Sequence, residues 1–219
     1  MVNLNFLSND YRDKRSNSEI ISESIMIDIL TGNLKGGFWL SEPYLTKKYN
    51  ISRTPIREIL NKLLGTGLVE QIPKRGFFVR HITERDIDDY FNMIYQLYPL
   101  SVKWAIERIT KKELDTLKEV FNFLEFYSKQ NDLEKIKLVY KGFNLVIYDA
   151  CKNKEIEKTL KLYDFIINYG TLSIPYPINY IDNLLEECKN IFAAFLKKDS
   201  NQGFEAAQIA KYKQMLRKK

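Results

Sequence analysis

Residues 40–79 read LSEPYLTKKYNISRTPIREILNKLLGTGLVEQIPKRGFFV. They lay out a short helix, a turn, a second helix and a hairpin, in that order. Ser41 is a good N-cap for the first helix, with Pro43 tolerable in its first turn and Leu45 and Tyr49 facing inward. Asn50 suits the tight turn that follows. In the next helix Ile56, Ile59, Leu60, Leu63 and Leu64 fall at i, i+3, i+4, i+7 and i+8, which defines one buried face. Arg53, Arg57 and Asn61 step along a different face at four-residue intervals. Gly65 and Gly67 end that helix. Leu68–Ile72 and Phe77–Arg80 then read as paired strands around Pro73, Lys74, Arg75 and Gly76. This is the element order of a winged helix-turn-helix.

The residue types at its exposed points suit duplex DNA. A reading helix presents short polar groups and long cations near its N-terminus while its back packs on a core. Ser52, Arg53, Thr54 and Arg57 meet that need, since arginine binds phosphate or forks onto guanine N7 and O6. A helix N-terminus itself attracts phosphate. Lys74, Arg75 and Gly76 at the hairpin tip reach the backbone or an adjacent minor groove, and Ser41 and Lys47 extend the candidate set into the preceding helix. The plainer reading pairs Arg57 with Glu58 or a neighbouring helix. The motif order, the apolar back face and the basic tip together favour DNA.

Outward from this stretch, Ser16 and Glu19 have capping-box spacing. Ile21, Ile25 and Leu30 are expected to share a buried stripe that stops at Gly32. Residues 1–17 lack a clear period and are expected to form a mobile arm. From Thr83 onward long helices take over, near 84–108, 111–129, 132–151, 154–172, 180–197 and 201–217. Thr83 before Asp86, Thr110 before Glu113 and Asn131 before Glu134 have start spacing, and Pro175 and Pro177 mark one interruption. The chain is therefore expected to be mainly α. A winged helix-turn-helix with a two-stranded wing (18–80) would be joined at 81–83 to an antiparallel all-α helical bundle (84–219).

Composition narrows the function classes. The 219 residues carry a net charge of +6 with 45% hydrophobic residues. Residues 1–83 hold 12 Lys and Arg against 8 Asp and Glu, a net +4, whereas residues 84–219 hold 22 against 20, a net +2. The excess is denser around the candidate DNA contacts. No apolar run reaches membrane-span length, the N-terminus is too polar for a secretory signal, and two cysteines imply no disulfide framework. A cytoplasmic protein is expected. Catalysis would have to use the single histidine, His81, which lies at the joint, and neither GxGxxG nor GxxxxGK[ST] occurs. No enzyme is expected.

The run SRTPIREILNKLLGTGLVE, followed by KRGFFV, resembles the N-terminal domain of the GntR family of bacterial transcription regulators. The helical remainder resembles the ligand-binding domain of its FCD branch, and the likeness spans residues 18–217. It implies a homodimeric, sequence-specific regulator of operator DNA, a repressor in this reading, with a small-molecule effector bound in the bundle. It assigns DNA contacts to Arg53, Thr54 and Arg57, with Gly76 at the wing tip. Many members have arginine where this chain has Pro43, a loss for which Lys47 or Lys48 would substitute.

The bundle departs further from the family. Many FCD members hold a divalent metal with an Asp and three His residues. Here Tyr140 and Asn144 stand where the Asp-x-x-x-His pair falls, Cys188 replaces one histidine, and the third falls near Ala210 or Lys211. Neutral imidazoles and a carboxylate suit zinc, and these replacements do not. No metal and no other cofactor is therefore expected. Members that bind carboxylates often place arginine four residues before an acidic residue and a proline; here Ile94, Tyr98 and Pro99 occupy those places. Tyr95, Tyr98, Tyr140, Asn144, Tyr148 and Cys188 are the candidate effector pocket, although most of the rings also suit an ordinary core. A regulator without ligand, controlled by oligomerisation or a protein partner, is the alternative.

Overall fold

A computed structural model describes residues 16–170 and 179–216, with side chains through Lys211. Residues 1–15 of the expected arm, and the interruption at Pro175 and Pro177, lie outside the described residues. Those described form nine α-helices and one two-stranded antiparallel sheet. By packing they fall into two units, the described residues of 12–89 with 165–173 and those of 90–164 with 174–219.

The first unit begins with α1 (Asn17–Leu30), started by a capping box between Ser16 and Glu19. Its buried stripe is Ile21, Ile25 and Ile29. Leu30, expected in that stripe, is only half-buried. Nine residues at 3.6 per turn place it half a turn out of phase with Ile21. Helix α2 (Glu42–Tyr49) is capped by Ser41 and stops at Asn50, whose φ of 52° is left-handed. Helix α3 (Arg53–Leu64) buries Ile56, Ile59, Leu60 and Leu63, with Leu64 half-buried at the margin. Burying four such side chains fixes the rotation of α3 and thereby the direction of its opposite face.

The wing pairs β1 (Val69–Ile72) with β2 (Gly76–Val79) in the register Val69↔Val79 and Ile72↔Gly76. Lys74 turns the tip at φ 63°, and Gly76 follows at φ 101°, a value that β-carbon-bearing residues avoid. Residues 37–40 also run along the free edge of β2. Gly37 N–H donates to Val79 O at 2.8 Å, Val79 N–H to Phe38 O at 2.9 Å, and Leu40 N–H to Phe77 O at 2.9 Å. The wing therefore gains an edge segment bridged at Trp39↔Phe78, beyond the two strands expected from sequence.

The end of the wing is tied to the start of α4 (Glu84–Arg108) by a polar knot. Arg80 donates to Gly67 O at 2.6 Å and to Asp86 at 3.0 Å, while Asp86 also accepts from Thr83 N–H at 2.8 Å and Thr83 Oγ1 at 2.6 Å. The Thr83 hydrogen bonds, reinforced by Arg80, lower the Asp86 carboxyl to about 2 from 3.8. A depressed carboxylate stabilises the fold fully above pH ~4, and that contribution disappears as pH falls through about 2. Asp86→Asn is expected to flatten the acid limb of a stability-versus-pH curve between those values, with little change in its slope above pH 5. An unchanged acid limb, measured by urea unfolding, would contradict this. His81 lies beside Gly36 and Gly37; a Cβ on Gly36 would stand 2.4 Å from its ring.

The second unit holds the rest of α4 and helices α5 (Lys111–Lys129), α6 (Leu133–Ala150), most of α7 (Lys154–Gly170), α8 (Tyr180–Lys197) and α9 (Ser200–Leu216). Thr110 and Glu113 form the expected capping box of α5. For α6 the cap is Asp132, one residue beyond the expected Asn131, which instead takes a left-handed φ of 54°. Asn131 turns the chain, and the next residue is free to cap it. The interior is apolar around Val102, Leu117, Val139, Phe143, Ile191 and Phe195, with Phe121 stacked on Phe192 at 4.6 Å. A Cβ on Gly203 would fall 2.2 Å from Ile106 Cδ1, so glycine lets α9 approach α4 closely. Cys151 and Cys188 are both buried free thiols.

Candidate nucleic-acid interface and buried polar cluster

Because α3 turns its apolar stripe inward, Arg53, Thr54, Arg57 and Asn61 emerge exposed. Ser52 occupies the N-cap without a side-chain capping bond, and no acidic residue lies in the first turn. The first N–H groups of α3 and the Ser52 hydroxyl are thus open toward an anion, the arrangement that binds phosphate. Ser41, by contrast, uses its hydroxyl oxygen as the α2 cap, accepting from Tyr44 N–H at 3.4 Å, and keeps its O–H as a donor.

Arg57 forks onto Glu42, with Nε at 2.8 Å and Nη2 at 3.1 Å from its two oxygens. The partner is therefore a residue of α2, the neighbouring-helix case, and not Glu58. The guanidinium keeps 66% of its side chain exposed, so the pair fixes its direction without hiding it. Arg57 and, more weakly, Arg53 hold the Glu42 carboxyl below its ordinary range. Lys48 pairs with Asp28, which leaves Lys47 as the exposed lysine of α2 without an ion pair among the described residues. At the wing, Lys74 and Arg75 are exposed, and the Arg75 guanidinium lies 5.5 Å from the Phe78 ring centre. Cationic and hydroxyl groups thus stand on α3, on α2 and at the wing tip.

In the bundle, positions far apart in sequence converge. Tyr98 Oη donates to Asn144 Oδ1 at 3.0 Å, and the Tyr98 ring meets Tyr148 edge-on at 6.1 Å. Tyr148 Oη bonds the Asp164 carboxylate. Lys211 Nζ lies 4.3 Å from the Tyr98 ring centre and 3.3 Å from Tyr140 Oη. Burial and neighbouring acidic groups raise the Tyr98 and Tyr148 phenols well above their ordinary value, and burial likewise raises the Cys188 thiol. For Lys211, burial opposes the charge. Interactions with Tyr140, Asp164 and Glu187 outweigh it, so its pKa is raised and the ammonium persists.

Five of the six expected pocket residues, Tyr98, Tyr140, Asn144, Tyr148 and Cys188, belong to this cluster. Tyr95 is half-buried one turn earlier on α4. Sequence reasoning passed over Lys211 as a pocket residue, although the resemblance puts a missing histidine near Ala210 or Lys211; a lone lysine in a Lys-rich final helix gives no signal of burial. The phenols, the amide, the protonated thiol and the ammonium do not suit a divalent metal, and the Lys211 ammonium already supplies the cation that acts on the Asp164 and Glu187 carboxylates. Among the described residues no group of three or more His, Cys, Asp or Glu could hold a metal ion.

A DNA-reading winged helix followed by a helical sensor bundle defines a class of transcription regulator. The chain belongs to that class as a member of the bacterial regulatory proteins of the gntR family: the family model matches residues 17–79, and an FCD domain matches residues 89–209. It is similar to the uncharacterized HTH-type transcriptional regulator YdhC of Bacillus subtilis (strain 168), 26% identical over 173 residues covering 78% of this chain and 77% of that one. McbR of Escherichia coli (strain K12) is 31% identical over 117 residues, 53% of each chain. The transcriptional repressor GlaR of Escherichia coli (strain K12) is 22% identical over 191 residues, 81% of this chain and 84% of that one. The solved structure of E. coli McbR/YncC superposes with a TM-score of 0.69 at 21% identity, covering 92% and 96% of the two chains, and so shares the fold. The protein is thus a DNA-binding regulator and not an enzyme. No helix among the described residues is long and apolar enough to cross a membrane.

Proposed function

We propose that the protein is a homodimeric, cytoplasmic repressor that reads operator DNA with α3 and the wing. Residues 18–80 read the DNA, 81–83 join, and 84–219 dimerise and sense. The observation that carries this is the exposed polar face of α3, with Arg53, Thr54 and Arg57 beside an open helix N-terminus. Ser52, Lys47, Ser41 and the wing-tip Lys74, Arg75 and Gly76 complete the proposed contact set. A two-fold dimer presents two such helices to half-sites about one DNA turn apart. Footprinting on genomic fragments tests this: protection of paired half-sites supports it, and uniform weak protection would oppose it.

The sensor is proposed to work without metal, through the tyrosine-lined cluster and a ligand carrying a ring or apolar body. A ligand shifts the regulator only by binding one dimer geometry better than another. Thermal-shift titration with chelator and with divalent ions is expected to leave the melting temperature unchanged; a large metal-dependent rise would overturn this part. A second reading is regulation without ligand, through oligomerisation or a protein partner. The internal satisfaction of Tyr98 by Asn144, Tyr148 by Asp164 and Lys211 by Tyr140 favours it. A metabolite that changes operator affinity would decide for the ligand-controlled form.

A further inference from the structure

Trp39 has no role in the core of the first unit. Its side chain is 57% exposed, the most of any large apolar residue described there. Its indole N–H makes no hydrogen bond among the described residues. Yet its backbone is fixed, because the bridge to Phe78 is flanked by the 38–79 and 40–77 hydrogen bonds. That is the non-hydrogen-bonded type of antiparallel pair, in which the two side chains lie closest and on one face of the sheet.

That face has a definite composition. Phe78 lies beside Trp39, and the Arg75 guanidinium covers the Phe78 ring. The indole nitrogen extends to the tip, 3.3 Å from where a Cβ on Gly76 would stand. Lys74 adds a second cation at the turn. Glu70, opposite Phe78 on β1, sits one strand farther from Trp39 and marks the anionic limit of the patch. An exposed indole flanked by cations, with a free N–H donor at a narrow tip, matches the sugar–phosphate wall of a DNA groove. The indole has an apolar face for deoxyribose, a donor for phosphate oxygen, and guanidinium and ammonium groups alongside.

We propose that Trp39 is a DNA-contacting residue of the wing, packing its indole on the duplex backbone beside the groove that the wing tip enters. This rests on the DNA-reading function proposed above and adds a contact outside the recognition helix. The contact is to backbone, so it strengthens binding without reading sequence. It is also uncharged, which separates it from Lys74 and Arg75 in a salt titration.

The test uses the full chain with Trp104→Phe, leaving Trp39 as the sole tryptophan, and two duplexes: one of about 30 bp selected by the wild-type chain, and one of random sequence. Addition of either duplex is expected to quench and shift Trp39 emission. Trp39→Ala is expected to weaken both duplexes by a similar factor, roughly tenfold, the scale of an aromatic anchor, with an unchanged salt slope. Trp39→Phe, which keeps the ring and drops the donor, is expected to lose less. If wild-type protein binds neither duplex, the DNA-reading proposal itself fails. If wild-type binds while Trp39 emission and Trp39→Ala affinity stay unchanged, the Trp39 inference alone fails. Emission that follows protein concentration instead of duplex would assign the patch to a protein contact and also overturn it.

Discussion

Alanine at Arg53 or Arg57 is expected to cost about 1–3 kcal/mol in binding a selected operator if the lost contact is a bidentate base contact. The physical basis is the direction that α3 enforces. Four buried aliphatic side chains set the helix rotation, and Glu42 holds the Arg57 guanidinium in a forked, outward pose. A pre-oriented arginine loses less side-chain entropy on binding than a free one. Both arginines lie in the field of Glu42, so their effects are expected to depart from additivity. Salt dependence sorts the contacts. A phosphate-binding arginine weakens specific and random duplexes alike and flattens the salt slope, whereas a base-reading one reduces their ratio. Competition titrations at several salt concentrations measure both quantities, and unchanged binding by the double variant would remove the proposed interface.

The second large effect is expected at Lys211. Its ammonium is buried against Tyr98 and Tyr140 and is held charged by the surrounding acidic groups. Lys211→Ala would withdraw that cation from the buried Glu187 carboxylate and from Asp164, and would open space beside the two rings. Losing a buried hydrogen bond made by a charged group, here the one to Tyr140, typically costs about 1.5–3 kcal/mol. Lys211→Met keeps most of the volume, so the difference between the two variants separates packing from charge. Urea unfolding of the full chain supplies the comparison. A loss below about 1 kcal/mol in both variants would show that the charge does not hold the cluster together.

Much of the first unit was legible locally. The stripe on α3, the cap at Ser41, the left-handed Asn50 and the glycine-bearing wing tip follow from short spacings, because helix phase and turn chemistry are set within a few residues. Where their ends lie among the described residues, the bundle helices from α4 onward were placed to within one or two residues for the same reason. Leu30 and Asn131 show the limit: a stripe extended by nine residues loses phase, and adjacent polar residues compete for one cap. The edge segment at 37–40 was not legible, because one glycine followed by three apolar residues, with a single bridge, carries no strand periodicity.

What the sequence determined by itself is the winged helix-turn-helix, the helical remainder and the departure from a metal-binding donor set, since each depends on residue type at short range. Only the tertiary structure decided which groups work together. It bound Arg57 to Glu42 across two helices, left Lys47 exposed by giving Lys48 to Asp28, and set Trp39 beside Gly76. It also brought Lys211 to Tyr140 across 71 residues of chain. Those pairings arise when separate apolar faces dock, and no periodicity within a single element encodes which polar groups then meet.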